Sequence, residues 1–205
     1  MEMQFIYADN AATTKMSDVA VKAMLPYLQE IYANPSSVHI LGQRSAAALF
    51  SARQQLAQLL HCAPKELFFT SDGSEADNQA LLSAAAIGRQ QGKRHIISTA
   101  MEHHAILHTL EVLEEQGFTV TLLRPQKDGI VTAAQVAAAL TDETCLVSVM
   151  YANNETGAIQ PIKDIGALCR QRGVLFHTDA VQAAGHVNID VQRDNIDMLS
   201  LSAHK

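Results

Sequence analysis

From about residue 67 onward, short apolar runs alternate with alanine- and leucine-rich stretches whose apolar positions recur every three or four residues. The runs 67–70, 95–99, 119–123, 145–151, 174–179 and 198–202 are short, and most carry β-branched or aromatic residues, which predicts strands. The stretches 74–91, 106–116, 132–140 and 162–172 have helical spacing. Gly117 and Gly173 stand where helices are expected to stop, and Pro161 stands near a start. A β-then-α alternation implies parallel strands joined by crossover helices. The expected fold is therefore α/β, with three layers and a mostly parallel sheet covered by helices on both faces. The first 66 residues read differently. They hold one strand candidate (5–8), two helix candidates (17–32 and 41–61), and a polar stretch at 33–39 between the helices. Pro26 falls inside the first of these and is expected to kink or divide it.

Composition narrows the class. The chain has 205 residues, 48% hydrophobic and 18% charged, with a formal net charge of −6. That is enough for one sizeable domain. An acidic balance without a basic block argues against nucleic acid or anionic membrane as the main partner. Three scattered cysteines, Cys62, Cys145 and Cys169, form no C-x-x-C pair and read as reduced thiols, so a cytoplasmic protein is expected.

Five stretches could carry chemistry. Thr70 to Asn78 reads as a strand end, a small-residue turn and a helix start. The free amides and dipole there favour a phosphate near Gly73 and Ser74, and ordinary helix capping is the plainer alternative. Asp179 ends a buried strand, where ligands of open α/β sheets bind. Such a carboxylate can hold a protonated heterocyclic nitrogen, or simply cap a turn. Lys205 follows a strand candidate and suits Schiff-base chemistry with an aldehyde, though most lysines are solvated charges. His103 follows another strand and suits stacking or proton transfer. His104 and His108 lie four apart, but the pattern is not the H-E-x-x-H of zinc enzymes. Asn153 and Asn154 offer amides at a strand end, or a turn.

Taken in order, these stretches resemble the cysteine desulfurases. These form the NifS/IscS-like branch of the class-V aminotransferases, which are fold-type-I pyridoxal phosphate enzymes. The likeness runs from Tyr7-Ala8-Asp9-Asn10-Ala11-Ala12-Thr13-Thr14 to Ser202-Ala203-His204-Lys205. It takes in the 34–39 stretch, the 70–78 turn, Glu102-His103, the 153–157 run and His177-Thr178-Asp179-Ala180-Val181-Gln182. The resemblance implies that Lys205 is the Schiff-base lysine and that Asp179 pairs with the pyridine nitrogen. It further implies that His103 stacks on the ring, that Gly73, Ser74, Ser202 and His204 surround the phosphate, and that Asn154 and Gln182 lie along the ring edge. The cofactor implied is pyridoxal 5'-phosphate, and no metal is expected. The reaction implied turns L-cysteine into L-alanine and passes sulfur to an enzyme cysteine. From there it goes to a sulfur-acceptor protein, either a scaffold for iron–sulfur cluster assembly or a tRNA-thiolation enzyme. The family also implies a homodimer.

Two departures shape further expectations. Asp72 stands where the family usually has glycine, and its carboxylate is expected to turn outward, away from a phosphate. The sequence also stops directly after a strand candidate, so it is expected to be truncated after Lys205. The family's sulfur-accepting cysteine lies beyond that lysine, and none of the three cysteines here occupies its place. Residues 1–15 are expected to be an arm of the small domain, and 16–205 the incomplete cofactor-binding domain. The chain alone is expected to be inactive on cysteine. Alternatives are a selenocysteine or cysteine sulfinate enzyme, another class-V aminotransferase, and a non-catalytic binding fragment.

Overall fold

The computed structural model describes residues 5–205. The first four residues of the expected arm at 1–15 lie outside the described residues. The chain forms two compact units, one running to Phe69 and joined by His204, the other comprising 70–203 with Lys205. This contact boundary falls between Phe69 and Thr70. The boundary expected at 15/16 remains a proposal.

The first unit is built on two helices, α1 (Asp18–Gln29) and α2 (Ile40–Leu60). Ser17 caps α1 by accepting the Ala20 amide at 3.1 Å. Contrary to expectation, Pro26 does not divide α1. It sits in the last turn, where its carbonyl takes the amides of Glu30 and Ile31 at 2.8 Å each as the helix ends. His39 caps α2 through Nδ1, which accepts the Gly42 amide. A Cβ on Gly42 would lie 2.3 Å from the Ser37 carbonyl oxygen, so the polar 33–39 stretch packs directly on the helix backbone there. Residues 5–8 form no strand.

The second unit is the predicted α/β sandwich. Five strands, β1 (His95–Thr99), β2 (Thr119–Leu123), β3 (Thr144–Ser148), β4 (Leu175–Asp179) and β5 (Met198–Ser200), pair in the order β2-β1-β3-β4-β5. Every recorded pairing is parallel. Helices α4 (His104–Glu115), α5 (Ala133–Ala139) and α6 (Ile162–Arg172) supply the crossovers from β1 to β4, and α3 (Gly73–Gln90) precedes β1. The chain steps outward from β1 to β2, then back past β1 to β3 and onward. Right-handed crossovers therefore put α4 on one face and α5 and α6 on the other. Helix α3 packs with α4. All five residues of β1 and of β3 are buried, as strands covered on both faces must be. The expected strand 67–70 is absent. A strand needs a ladder, and these residues have no partner strand among the described residues; Phe68 and Phe69 are exposed.

Candidate functional site

The reversal of strand order between β1 and β3 opens a crevice at the carboxyl ends of the strands, the place where open α/β sheets bind ligands. The expected residues gather at these ends. His103 follows β1, Asn154 follows β3, Asp179 closes β4 with Gln182 just beyond, and Ser202 and Lys205 follow β5.

Asp179 is buried, and its Oδ1 accepts the Val181 amide at 2.9 Å. Burial raises its pKa, while the Val181 amide and the charges of His103 and Lys205 pull it back down. A further cation at Asp179 would favour the ionised form in the same way. Next to it stands Asp77 of α3, also buried. Its pKa is pushed up to about 8 by burial and by Asp179, against the Ser200 hydroxyl. Asp77 Oδ1 has no hydrogen-bond partner among the described residues, and His177 Nε2 lies 3.7 Å from it. His177 is fully buried, with Nδ1 2.9 Å from Ser148 Oγ and Nε2 3.0 Å from Ser200 Oγ. Burial drives its pKa down to about 3, so the ring is neutral.

His103 caps α4, its Nδ1 accepting the Ala105 amide at 3.1 Å. That leaves Nε2 as the outward-facing nitrogen of an exposed ring. Before it, buried Glu102 accepts the Thr99 hydroxyl at 2.6 Å and the Met150 amide at 3.0 Å, both on Oε1. Asn153 is buried with both polar atoms engaged. Its Nδ2 donates to the Met101 carbonyl, and its Oδ1 accepts from the amides of Glu155 and Thr156 and from the Thr156 hydroxyl. Asn154, half-buried, donates to Glu155 Oε1 at 2.7 Å.

The start of α3 supplies an anion-binding corner. Gly73 is buried, and a Cβ on it would lie 3.0 Å from Val181 Cγ2 and 3.6 Å from Ser202 Cβ. Three expected elements thus meet at one backbone position. The amides of Gly73 and Ser74 donate to no partner among the described residues, so they are available to an anion. Asp72 is exposed and caps α3, accepting the Glu75 amide at 2.8 Å, as the outward expectation required. The Glu75 carboxylate accepts the Ser71 amide and is thereby held below the usual carboxylate range. His204 lies in the first unit. Its carbonyl accepts the Thr14 amide at 2.8 Å, and its Nδ1 is 3.2 Å from Thr13 Oγ1.

These residues fit pyridoxal phosphate. Backbone amides and a side-chain-free glycine suit a phosphate, and a buried carboxylate beside an orphaned carboxyl oxygen suits a ring cation. The histidine pair of the metal alternative, His104 and His108, has ring centroids 5.4 Å apart. Among the described residues, no group of three His, Cys, Asp or Glu side chains is placed for a metal.

Residues 6–205 match the class-V aminotransferase family. The chain belongs to that family. Its members are pyridoxal phosphate enzymes, as the resemblance implied. A cysteine desulfurase IscS of Clostridium botulinum is 50% identical over 98% of this chain and half of its own length. One from Methanosarcina thermophila is 48% identical over the whole of this chain, again across half of its own. The chain spans about half the length of the curated relatives it matches. Among solved structures, SspA in complex with cysteine superposes with a TM-score of 0.92 at 39% identity, covering 97% of this chain and 57% of that one. A NifS-like protein gives 0.91 at 35%, covering 96% and 54%.

Sequence reasoning missed three buried groups: Asp77, Glu102 in its hydrogen-bonding role, and His177. Two carried a signal. His177 and Asp179 are two apart on a strand and so share a face. Gly73, Asp77 and Leu81 follow a four-residue spacing down the buried side of α3, which puts a carboxyl on an otherwise apolar or small-residue stripe.

Proposed function

We propose that this chain is the cofactor-binding part of a pyridoxal 5'-phosphate-dependent cysteine desulfurase, which converts L-cysteine to L-alanine and passes the sulfur to a protein thiol. The carrying observation is that Asp179, a buried carboxylate at the end of β4, lies within electrostatic reach of the Lys205 amine beyond β5. Bound there, pyridoxal phosphate would supply an aldehyde that captures amines and a ring that accepts an electron pair from the substrate.

The protein's own groups do the rest. The Gly73 and Ser74 amides and the Ser202 hydroxyl anchor the phosphate, with His204 as the further expected contact. Asp179 holds the ring-nitrogen proton, and Asn154 and Gln182 orient the opposite edge. The Lys205 amine would hold the cofactor aldehyde and serve as a base. His103 would face the ring and carry a proton to or from the substrate. Sulfur acceptance is assigned to a thiol other than Cys145 and Cys169, which are shut inside the sandwich, where burial raises the pKa of both, Cys169 to about 12. The 205-residue chain alone is accordingly expected to release neither alanine nor sulfide from cysteine. A cytoplasmic homodimer that hands sulfur to a cluster scaffold or a tRNA-thiolation enzyme completes the reading. The chain has a net charge of −6, and among the described residues no helix is long and apolar enough to cross a membrane.

The test is titration of the full-length protein with pyridoxal phosphate. A visible absorption band resistant to gel filtration is expected, absent in Lys205→Ala and weakened at least tenfold in affinity in Asp179→Ala. A pyridoxyl label that stays attached to Lys205→Ala after borohydride reduction and denaturation would assign the linkage to another lysine.

A further inference from the structure

The strands at the crevice end unevenly, and this leaves a gap in the backbone ladder. β1 stops at Thr99, whereas beyond β3 the chain stays hydrogen-bonded to β4, the Val149 amide donating to His177 and the Tyr151 amide to Asp179. In a parallel ladder alternate amides point to opposite neighbours, so the Met150 amide points back toward β1, where no strand remains to receive it. Glu102 Oε1 receives it instead, together with the Thr99 hydroxyl that ends β1. One carboxyl oxygen therefore stands in for the missing backbone carbonyl and bridges the two strands between which the sheet order reverses. The other oxygen, Oε2, is buried without a partner among the described residues.

We propose that Glu102 is a positioning residue, an uncharged acid that ties the loop after β1 to the end of β3 and thereby sets the imidazole of His103. An ionised Glu102 would be an excess charge with an orphaned oxygen at a buried position, within reach of Asp77 and Asp179. Burial first, with those two carboxylates adding to it, pushes its pKa up to about 8, while Thr99 and the Met150 amide counter. The charged groups that act on it are Asp179 at the end of β4 and Asp77 from α3, and His103 is its neighbour along the chain. His103 follows directly and is fixed from its other side by capping α4, so its ring has little freedom once Glu102 is held. Only this last consequence, His103 over a ring, rests on the proposed cofactor.

Infrared spectra of the full-length, cofactor-free protein at pH 7 read the proton. Glu102→Gln is expected to remove part of the protonated-carboxyl absorption; an unchanged band with loss of carboxylate absorption overturns the proposal. Hydrogen exchange of the peptide containing Met150 reads the clamp. Glu102→Ala is expected to speed exchange at least tenfold and Glu102→Gln, which keeps the acceptor, less than threefold; equal, slow exchange in both overturns it. Should Glu102→Ala not fold, the infrared result alone decides. With cofactor added, Glu102→Ala is expected to weaken binding about tenfold and Glu102→Gln to restore it. A wild-type protein that takes no pyridoxal phosphate sinks the function proposed above and leaves the two cofactor-free readouts to judge Glu102.

Discussion

A buried acid that keeps its proton changes the sign of the usual pH dependence of stability. Asp77 and Glu102 titrate near 8 in the folded chain and near 4 when unfolded, so between those values only the folded form holds the protons. Their contribution is complete below about pH 4 and is withdrawn as pH rises through 8. The limit is about 1.4 kcal/mol per pH unit for each group. Urea midpoints of the cofactor-free protein are therefore expected to fall from pH 5 to pH 8, and less steeply in Asp77→Asn. Parallel curves would mean that Asp77 is already ionised. A second residue-scale prediction concerns Gly73, where an added methyl group would meet the side chains of Val181 and Ser202 and no backbone atom. Gly73→Ala is expected to lower pyridoxal phosphate affinity about tenfold, since the methyl group occupies the corner meant for an anion, while shifting the unfolding midpoint little. A large loss of stability with unchanged affinity would refute the phosphate assignment.

At the scale of elements, α3 approaches β3 closely. A Cβ on Gly88 would lie 2.6 Å from both Cβ and Sγ of Cys145, so the helix backbone rests directly on that side chain. Gly88→Ala is expected to cost about 1–3 kcal/mol by overpacking, read as a lower midpoint in chemical denaturation. Such elements were legible in the sequence where local pattern and tertiary role agree: β1, β2 and α6 have the bounds that their apolar spacing implied. The misses share one cause, which is that hydrogen-bond partners lie elsewhere in the chain. The 67–70 run has strand composition but no ladder. The 145–151 run is cut short as a strand because the Met150 amide turns to a side chain. Pro26 is tolerated because α1 ends within one turn of it, a boundary that periodicity sets only loosely.

For the whole molecule, the candidate site was readable as an ordered series of motifs at strand ends. The buried acids behind it were not, because burial of a carboxyl depends on which helix covers which strand. The apolar surface is also uneven between the units. In the first, α1 has no buried residue, and Val19, Leu28, Tyr32 and Val38 are each at least 70% exposed. Apolar area of this kind on a soluble protein marks surface that something else covers. The isolated 205-residue chain is therefore expected to associate as its concentration rises, seen as an increasing weight-average mass by light scattering. A constant monomer mass would show that this surface is tolerated in water. The shielding of two thiols has a practical corollary. Cys145 and Cys169 lie inside the sandwich, and only Cys62, just past α2, is partly open to solvent. A maleimide dye would consequently mark the helical unit selectively, giving a fluorescent reporter of its unfolding distinct from that of the sheet.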